Sequence, residues 1–304
     1  MLKISSETIK KCASEAGFSF SGISSLVDFS KEVQNFKESI QNGYHAKMGY
    51  LERNIEERFA IDTLLPNCKT VIVNLFNYNI GKALNSNYRV SRYAFVRDYH
   101  QLVSEQLEKM VSLIKQHNNH FNYSISVDSG RISEKNWAVK SGLGYYGKNG
   151  IFLTPQGSFF FIGLILIDQE VDQYDQPLPD NSNFCGNCSF CIESCPTKAI
   201  VKPFVVDARQ CLSYQTLSNK NPDFDLVKEH PWIYGCDICQ EVCPKNKKSV
   251  IHELAVSNSS LFLHFEDSDF ENLTKEQFDH YFKHTSIGSK GYEKLIQFIK
   301  NRQQ

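Results

Sequence analysis

Eight of the ten cysteines in this sequence fall in two runs that end in Cys-Pro and at one position between them. The first run reads Cys185-x-x-Cys188-x-x-Cys191-x-x-x-Cys195-Pro196, and the second reads Cys236-x-x-Cys239-x-x-x-Cys243-Pro244, with Cys211 between the runs. Two residues between thiolates allow one tight turn to present both sulfurs to the same cube of iron and sulfide. The spacing therefore predicts two [4Fe–4S] clusters and a role in electron transfer.

The order of the cysteines also predicts which of them share a cluster. In two-cluster proteins with this spacing, the last cysteine of each run, the one before proline, ligates the cluster of the other run. The first predicted ligand set is Cys185, Cys188, Cys191 and Cys243. The second set contains Cys195, Cys236 and Cys239, and Cys211 is the only candidate nearby for the fourth ligand.

Zinc and disulfide bonds are the alternatives for these cysteines. Zinc prefers four ligands in two pairs, and eight cysteines with two Cys-Pro endings exceed that requirement. A disulfide framework is typical of small secreted domains, whereas this chain has 304 residues and no visible export signal. The spacing favours iron–sulfur clusters over both alternatives.

Composition and charge restrict the remaining functions. The hydrophobic content of 41% supports a buried core, and the net charge of −1 creates no global field that attracts nucleic acid or membranes. The N-terminal residues lack the apolar core of a signal peptide, and the longest apolar run, residues 158–167, is too short to span a bilayer. We expect a cytoplasmic protein without membrane contact, in a reducing compartment that suits oxygen-sensitive clusters.

Hydrophobic periodicity predicts a region of interleaved helices and strands before the cysteines. Helices are predicted over residues 5–16, 98–117 and 133–141, and strands over 71–76 and 123–127. Residues 151–153 and 158–167 are predicted to form a hairpin around Pro155-Gln156-Gly157. The fold class is therefore α/β (α+β), with helices covering a sheet. The predicted domains are an α/β domain over residues 1–178, a cysteine-rich domain over 179–249 and a helical segment over 250–304.

Other residues outside the cysteine runs could act in catalysis or binding. Asp128 follows the strand 123–127, and open α/β sheets bind ligands at strand ends, although a local Asx-turn is the alternative. Lys148 and Asn149 belong to a glycine-rich loop, residues 142–150, which lacks the spacing of a P-loop or a dinucleotide-binding loop. This loop either lets a large ligand approach the backbone or is a tight turn. Asp98 is interpreted as a helix cap.

Several stretches, in chain order, resemble epoxyqueuosine reductases. They are residues 92–93, 98–100, 127–130, 141–149, 185–196, 211–214 and 234–244. Members of that family are cobalamin-dependent, carry two [4Fe–4S] clusters and complete queuosine in the wobble position of tRNA by reducing an epoxide to an alkene. The resemblance implies a nitroreductase-like cobalamin-binding domain followed by a bacterial-ferredoxin-like double [4Fe–4S] domain and a short helical C-terminal segment.

The resemblance also implies roles for single residues. The positions that would meet the corrin of cobalamin are Arg58, Ser91, Asp128, Lys148, Asn149 and Thr216. Asp128 matches the family's proposed proton donor. A free aspartic acid has a pKa of about 3.9, and burial between the corrin, the strand 123–127, Tyr145 and Tyr146 is expected to raise it.

The resemblance implies two partners: tRNA carrying epoxyqueuosine in the anticodon, and an external flavodoxin or ferredoxin as electron donor. Many members contact tRNA through a longer C-terminal set of helical repeats, much of which this sequence is expected to lack. Residues 283–302 nevertheless carry an excess of positive charge, and Lys290 and Lys294 are predicted to contact tRNA phosphates. A solvated helix face is the alternative. We expect a monomer.

Two other functions are consistent with parts of the sequence. A reductive dehalogenase also combines cobalamin with two [4Fe–4S] clusters, but such enzymes usually carry a twin-arginine signal, which the N-terminal residues lack. A plain electron-transfer module would explain the cysteines and would leave the α/β region without a function.

Overall fold

A computed structural model describes residues 3–128, 132–179 and 184–303 of the chain. The α-helices in these ranges are α1 (Ser6–Glu15), α2 (Ser30–Gln41), α3 (Tyr99–His117), α4 (Glu134–Lys140), α5 (Phe190–Glu193), α6 (Leu212–Leu217), α7 (Phe224–Val227), α8 (Ile238–Glu241), α9 (Glu253–Ser257), α10 (Asp267–Glu271), α11 (Lys275–Tyr281) and α12 (Tyr292–Gln303). The strands are β1 (Phe20–Ser25), β2 (Thr70–Asn77), β3 (Arg89–Val90), β4 (Tyr123–Val127), β5 (Tyr145–Tyr146), β6 (Phe152–Leu153), β7 (Phe160–Ile167), β8 (Ile200–Lys202), β9 (Val205–Val206) and β10 (Trp232–Tyr234). Within the described ranges, no helix is both long and apolar enough to cross a bilayer.

The main sheet has four strands in the order β1-β2-β7-β4, and each neighbouring pair is antiparallel. All 8 residues of β2 are buried, because strands pair with both of its edges and helices cover both faces. Ile72 of β2 belongs to the core that includes α1 and α3, whereas Leu75 packs in the core around Trp137 of α4. The predicted central strand over residues 71–76 is confirmed.

Local capping explains why two helices begin where the sequence predicted. The Ser5 hydroxyl accepts a hydrogen bond from the Thr8 N–H (3.4 Å) at the start of α1. The Asp98 carboxylate accepts one from the His100 N–H (3.0 Å) at the start of α3. These side chains satisfy N–H groups that the first helical turn leaves without a backbone acceptor. The interpretation of Asp98 as a helix cap is confirmed.

The predicted hairpin around Pro155-Gln156-Gly157 is wrong in its pairing. Thr154 and Gly157 form an isolated bridge, so the turn exists, but β6 pairs with β5 while β7 pairs with β2 and β4. The sequence of β7, FFIGLILI, is apolar on both faces. A partner of two residues such as β6 would leave most of that surface uncovered, whereas β2 and β4 enclose it within the sheet.

One hydrophobic core joins regions that the sequence assigned to different domains. Phe262 and Phe298 of the C-terminal segment lie in the same buried cluster as Leu102 of α3. The ring centroids of Phe95 and Phe262 are 6.3 Å apart. In addition, β10 in the cysteine-rich region pairs in parallel with β3. The regions on either side of residues 178 and 249 share this core. The domain boundaries predicted at these residues therefore stay predictions.

Candidate active site

The first predicted ligand set is brought together by a loop, helix α5 and the turn after α8. Burial raises the pKa of the Cys191 thiol, and so do the charges of Cys185, Cys243 and Cys188. Burial also raises the pKa of Cys243, with further contributions from Cys185 and Cys188. Because screening confines such repulsion to nearby groups, these four sulfurs are neighbours. We call them the first cysteine group.

The second predicted ligand set lines a cavity of 280 Å³. Its members are Cys195, Cys211, Cys236 and Cys239. Burial, followed by neighbouring charges that include Cys211 and Cys195, raises the pKa of Cys239 to about 12. Burial also raises the pKa of Cys236, and the charges of Cys239 and Cys211 add to the effect. The structure thus places Cys211 beside the other three sulfurs, which we call the second cysteine group.

The chemistry of both groups fits iron–sulfur clusters. All ten cysteines are free thiols, which removes the disulfide alternative. Among the described residues, no three His, Cys, Asp or Glu side chains are close enough to hold one metal ion. A [4Fe–4S] cluster instead offers its irons to four thiolates around a cube. The iron ions of a bound cluster would favour thiolates, against the burial that raises the pKa of five of these thiols, Cys191, Cys211, Cys236, Cys239 and Cys243.

Lys148 and Asn149 of the glycine-rich loop contact the backbone of both cysteine groups. The Lys148 ammonium donates hydrogen bonds to the carbonyl oxygens of Gly186 (2.7 Å) and Cys188 (2.9 Å). Asn149 is buried, lines the cavity of the second group and donates through Nδ2 to the Cys239 carbonyl (3.4 Å). The loop therefore braces the cysteine groups, a role that the sequence did not predict. Contact of Lys148 with a corrin stays a prediction.

Ser91 closes the cavity of the second group from the side of the α/β region. Its hydroxyl donates to Asp237 Oδ1 (2.5 Å), and the Arg92 N–H donates to the other carboxylate oxygen (2.7 Å). Gly235 has a φ of 68°, and a Cβ there would lie 2.4 Å from the Ser91 Cβ. Only glycine fits this approach, which sets the loop that carries Cys236 directly against Ser91.

Asp128 and Arg58 share a second cavity, of 260 Å³, with Tyr50, Lys135 and Tyr146 among its lining residues. The Arg58 Nη2 donates to the Tyr50 carbonyl (2.5 Å), and the guanidinium carbon lies 5.7 Å from the Tyr50 ring centroid. Asp128 follows the last residue of β4. The structure therefore places Asp128 at a strand end that faces a cavity, as the sequence predicted.

The carboxylate of Asp128 is held by two residues at the start of α3, Tyr99 and His100. The Tyr99 hydroxyl donates to Asp128 Oδ2, across 29 positions of sequence. His100 Nε2 lies 3.8 Å from the same oxygen, and its Nδ1 lies 2.8 Å from Asp98 Oδ1. Burial and the nearby Asp128 raise the pKa of Tyr99 far above its ordinary value, so its hydroxyl remains a donor. Sequence reasoning did not predict that either residue contacts Asp128. Their only local signal was the Asp98-Tyr99-His100 segment.

The side chain of Asp128 is exposed in the isolated chain. Its side chain is 63% accessible. Tyr146 lines its cavity, but Tyr145 instead stacks on Phe184 with ring centroids 4.3 Å apart. Burial of the carboxyl group therefore requires a further surface, which is the role that the resemblance assigns to the corrin. The Asx-turn alternative involves residues 129–130, which lie outside the described residues.

A contact between two tyrosine rings links the cavity of the second cysteine group to the residue that holds Asp128. Tyr93 lines the cavity of the second cysteine group. Its ring centroid lies 6.0 Å from that of Tyr99, the residue that donates to Asp128. Four of the six residues predicted to meet the corrin line the two cavities: Arg58 and Asp128 in one, Ser91 and Asn149 in the other.

Two other predicted binding residues use their polar groups inside the protein. Thr216 is buried, and its hydroxyl accepts a hydrogen bond from the Gly235 N–H (2.9 Å). The Lys294 ammonium donates to the carbonyl oxygens of Leu217 (2.9 Å) and Asn219 (3.1 Å). Thr216 therefore supports the loop before the second cysteine run, and Lys294 joins α12 to the end of α6. Their contacts with corrin and tRNA stay predictions.

Lys294→Met is expected to lower the free energy of unfolding by about 1–2 kcal/mol, because two carbonyl oxygens lose a charged donor. Lys290 is exposed, so the matched control Lys290→Met should change stability by less than about 0.5 kcal/mol. Urea unfolding of the two variants measures the difference. Equal stability would mean that water replaces the Lys294 ammonium without loss.

Family models match two parts of the chain. One, described as epoxyqueuosine reductase QueG, DUF1730, matches residues 58–129, and another, described as a 4Fe-4S double cluster binding domain, matches residues 184–246. A curated epoxyqueuosine reductase from Cyclobacterium marinum is 33% identical, over 97% of this chain and 96% of the relative. The chain belongs to the epoxyqueuosine reductase family.

Solved epoxyqueuosine reductases have the same fold. The structure from Streptococcus thermophilus matches with a TM-score of 0.83 at 26% identity, covering 97% of this chain and 79% of that chain. The crystal structure of an epoxyqueuosine reductase with a tRNA-Tyr epoxyqueuosine-modified stem loop gives a TM-score of 0.84 at 24% identity, covering 97% and 80%. A catabolic reductive dehalogenase, at 13% identity and a TM-score of 0.50 over 83% and 34% of the two chains, shares only the fold. Of the enzyme classes considered from the sequence, epoxyqueuosine reductase is thus the one to which the chain belongs.

Proposed function

We propose that this protein reduces the epoxide of epoxyqueuosine in the anticodon of tRNA to the alkene of queuosine. The reaction consumes two electrons and two protons and releases one water molecule. Family membership supports the reaction, and the modified stem loop bound by a protein of the same fold supports tRNA as the substrate. The observation that carries the proposal is Asp128, a carboxyl group at a cavity and held by Tyr99, whose ring packs against Tyr93 of the second cysteine group's cavity.

The proposed cofactors are cobalamin and two [4Fe–4S] clusters. When bound, cobalamin supplies the reduced metal centre that opens the epoxide, with electrons delivered through the clusters. The two cysteine groups are the proposed cluster ligands. The proposed corrin contacts are Arg58, Ser91, Asp128 and Asn149, which line the two cavities, with Lys148 and Thr216 supporting the adjoining loops. An external flavodoxin or ferredoxin is the proposed electron donor, and the proposed state is a monomer.

Asp128 is the proposed donor of the proton to the epoxide oxygen. Because the Tyr99 O–H donates to Oδ2, the proton of the neutral acid belongs on Oδ1. His100 Nε2 lies 3.8 Å from the same oxygen, Oδ2. His100, which is held by Asp98, is therefore a proposed positioning residue for the Asp128 carboxylate together with Tyr99.

The direct test uses cells that lack this protein. Mass spectrometry of their bulk tRNA should show epoxyqueuosine in place of queuosine, and the wild-type gene on a plasmid should restore queuosine. The Asp128→Asn gene should leave epoxyqueuosine in place. Asp62→Asn, at an exposed aspartate outside both cavities, is the matched control and should restore queuosine. Unchanged queuosine in the deletion strain would contradict the proposed function.

Tyr99→Phe is expected to lower turnover by about tenfold, because Asp128 loses the hydroxyl that fixes its carboxylate. Tyr123→Phe is the matched control, since the Tyr123 hydroxyl also donates to a carboxylate, that of Glu108 (2.9 Å), outside both cavities. The pH profile of the single-turnover rate should change in Tyr99→Phe only. Equal rates in both variants would remove the positioning role of Tyr99.

Lys290→Glu is expected to weaken tRNA binding and to flatten its dependence on salt, because a phosphate contact is replaced by repulsion. The lysine is exposed at the end of the turn before α12. Fluorescence titration of a tRNA anticodon stem loop at several salt concentrations measures the effect. Affinity and salt slope equal to those of the wild type would identify Lys290 as part of a solvated surface.

A further inference from the structure

The two cysteine groups differ in what surrounds them. The second group lines a cavity together with Tyr93, whose ring packs against Tyr99, the residue that donates to Asp128. The first group adjoins the protein surface, because Phe190, which directly precedes Cys191, is 55% exposed. If the proposed function holds, electrons enter from outside and leave toward the cavity of Asp128. The first cysteine group is therefore the side at which an electron carrier has to dock.

Three lysines follow the last cysteine of the first cysteine group. Lys245, Lys247 and Lys248 belong to the 3₁₀ helix Pro244–Lys248, which follows Cys243. Asn246 in the same helix is turned inward, where Oδ1 accepts from the Ser158 N–H (2.7 Å) and Nδ2 donates to the Gln240 carbonyl (2.7 Å). With three residues per turn, the neighbouring positions point to other sides of the helix: Lys247 and Lys248 are exposed, and Lys245 is half-buried.

These lysines are not neutralised by neighbouring carboxylates. Among the described residues, no acidic side chain forms an ion pair with any of the three. The acidic residues on the helices packed here are Glu241 of α8, which lies 3.6 Å from the Arg92 guanidinium, and Glu193 of α5, which accepts a hydrogen bond from the Ser189 hydroxyl. The segment after Cys243 therefore carries three lysines without a carboxylate partner among the described residues, although the whole chain carries a net charge of −1.

An aromatic surface lies between these lysines and the cysteines. Lys245 Nζ is 4.3 Å from the ring centroid of Phe184, the residue before Cys185. Phe184 in turn stacks on Tyr145, with ring centroids 4.3 Å apart. Phe190 flanks the same cysteine group and is left largely uncovered. An apolar centre with a charged rim is the usual anatomy of a protein–protein interface.

We propose that the surface formed by Phe184, Phe190, Lys245, Lys247 and Lys248, the lysine face, docks a small acidic one-electron carrier protein. The positive rim attracts and orients an acidic partner, which raises the association rate more than the final affinity. The aromatic residues give close contact beside the first cysteine group, where electron transfer requires it. None of the three lysines lines the cavity of Asp128, which is where the modified base of tRNA has to bind.

The test is a charge reversal of the two exposed lysines in the reconstituted holoprotein. The variant is Lys247→Glu/Lys248→Glu, and the matched control is Lys11→Glu/Lys109→Glu, which makes the same change in net charge on exposed positions of α1 and α3. Anaerobic stopped-flow absorbance follows cluster reduction by a purified acidic flavodoxin. Iron content, reduction by dithionite and affinity for a tRNA stem loop are measured in parallel.

The lysine variant should be reduced by flavodoxin about tenfold more slowly at low ionic strength, and salt should diminish the difference. Its iron content, reduction by dithionite and tRNA affinity should equal those of the control. Equal flavodoxin rates in both variants would overturn the proposal. Loss of tRNA affinity with normal flavodoxin reduction would assign the lysine face to RNA instead. Failure of the wild type to convert epoxyqueuosine, with the flavodoxin effect intact, would refute the proposed function and leave the docking surface standing.

Discussion

Asp128→Asn is expected to lower the turnover of epoxyqueuosine by about 10²–10⁴-fold, the usual contribution of a positioned general acid. Opening the epoxide produces an alkoxide, which is a poor leaving group until it is protonated. Asparagine keeps the shape of the side chain, and its amide oxygen can still accept from the Tyr99 hydroxyl, but it has no acidic proton. The variant should keep both clusters, because Asp128 lines neither cysteine group.

Single-turnover rates on an epoxyqueuosine-containing stem loop, together with cobalamin and iron content, separate acid catalysis from binding. Asp128→Ser should behave like Asp128→Asn, because both variants lack the acid. Asp62→Asn should keep the wild-type rate. A near-wild-type rate in Asp128→Asn would refute the acid role, and loss of cobalamin from that variant would assign Asp128 to cofactor binding.

Cys211→Ala is expected to remove or alter one cluster and to spare the other. Two groups of four thiolates predict about eight irons and eight sulfides in the reconstituted wild type. The substitution leaves the second cysteine group with three sulfurs, whereas the first group keeps four. Turnover should be lost as well, because the second group adjoins the cavity that contains Ser91 and Asn149.

Iron analysis and electron paramagnetic resonance of the reduced protein test this assignment. Cys12→Ala is the control, since Cys12 is buried in α1 and packs in the main hydrophobic core, so iron content should be unchanged. Full iron and unaltered spectra in Cys211→Ala would mean that another residue completes the second group.

Local patterns in the sequence were sufficient to predict features that depend only on residues close together in the chain. The spacing of Cys185, Cys188 and Cys191 places three thiols on one loop and a short helix, whatever the rest of the fold does. The apolar run of β2 predicts a central strand, because it can be buried only with a strand on each edge. Asp98 caps α3 because a side chain and an N–H two residues later meet within one turn.

Pairings between distant segments were not decided by such patterns. The turn at Pro155-Gln156-Gly157 predicted a hairpin, yet β7 pairs with β2 and β4 because those strands cover more of its apolar surface. Lys148 of the glycine-rich loop is predicted to bind the corrin, and that stays a prediction. The sequence did not indicate that its ammonium also donates to two carbonyls of the first cysteine run, because that contact depends on how the loop packs.

The sequence by itself determined the cysteine chemistry, the central strand and the candidate Asp128, because each follows from residue type and short spacing. Only the tertiary structure decided what surrounds Asp128. Tyr99 reaches its carboxylate from the start of α3, 29 positions earlier, because α3 packs across the sheet that ends in β4. Tyr93 similarly joins that site to the second cysteine group. Contacts of this kind depend on how helices and strands pack. The hydrophobic periodicity of one segment does not indicate which distant segments it contacts.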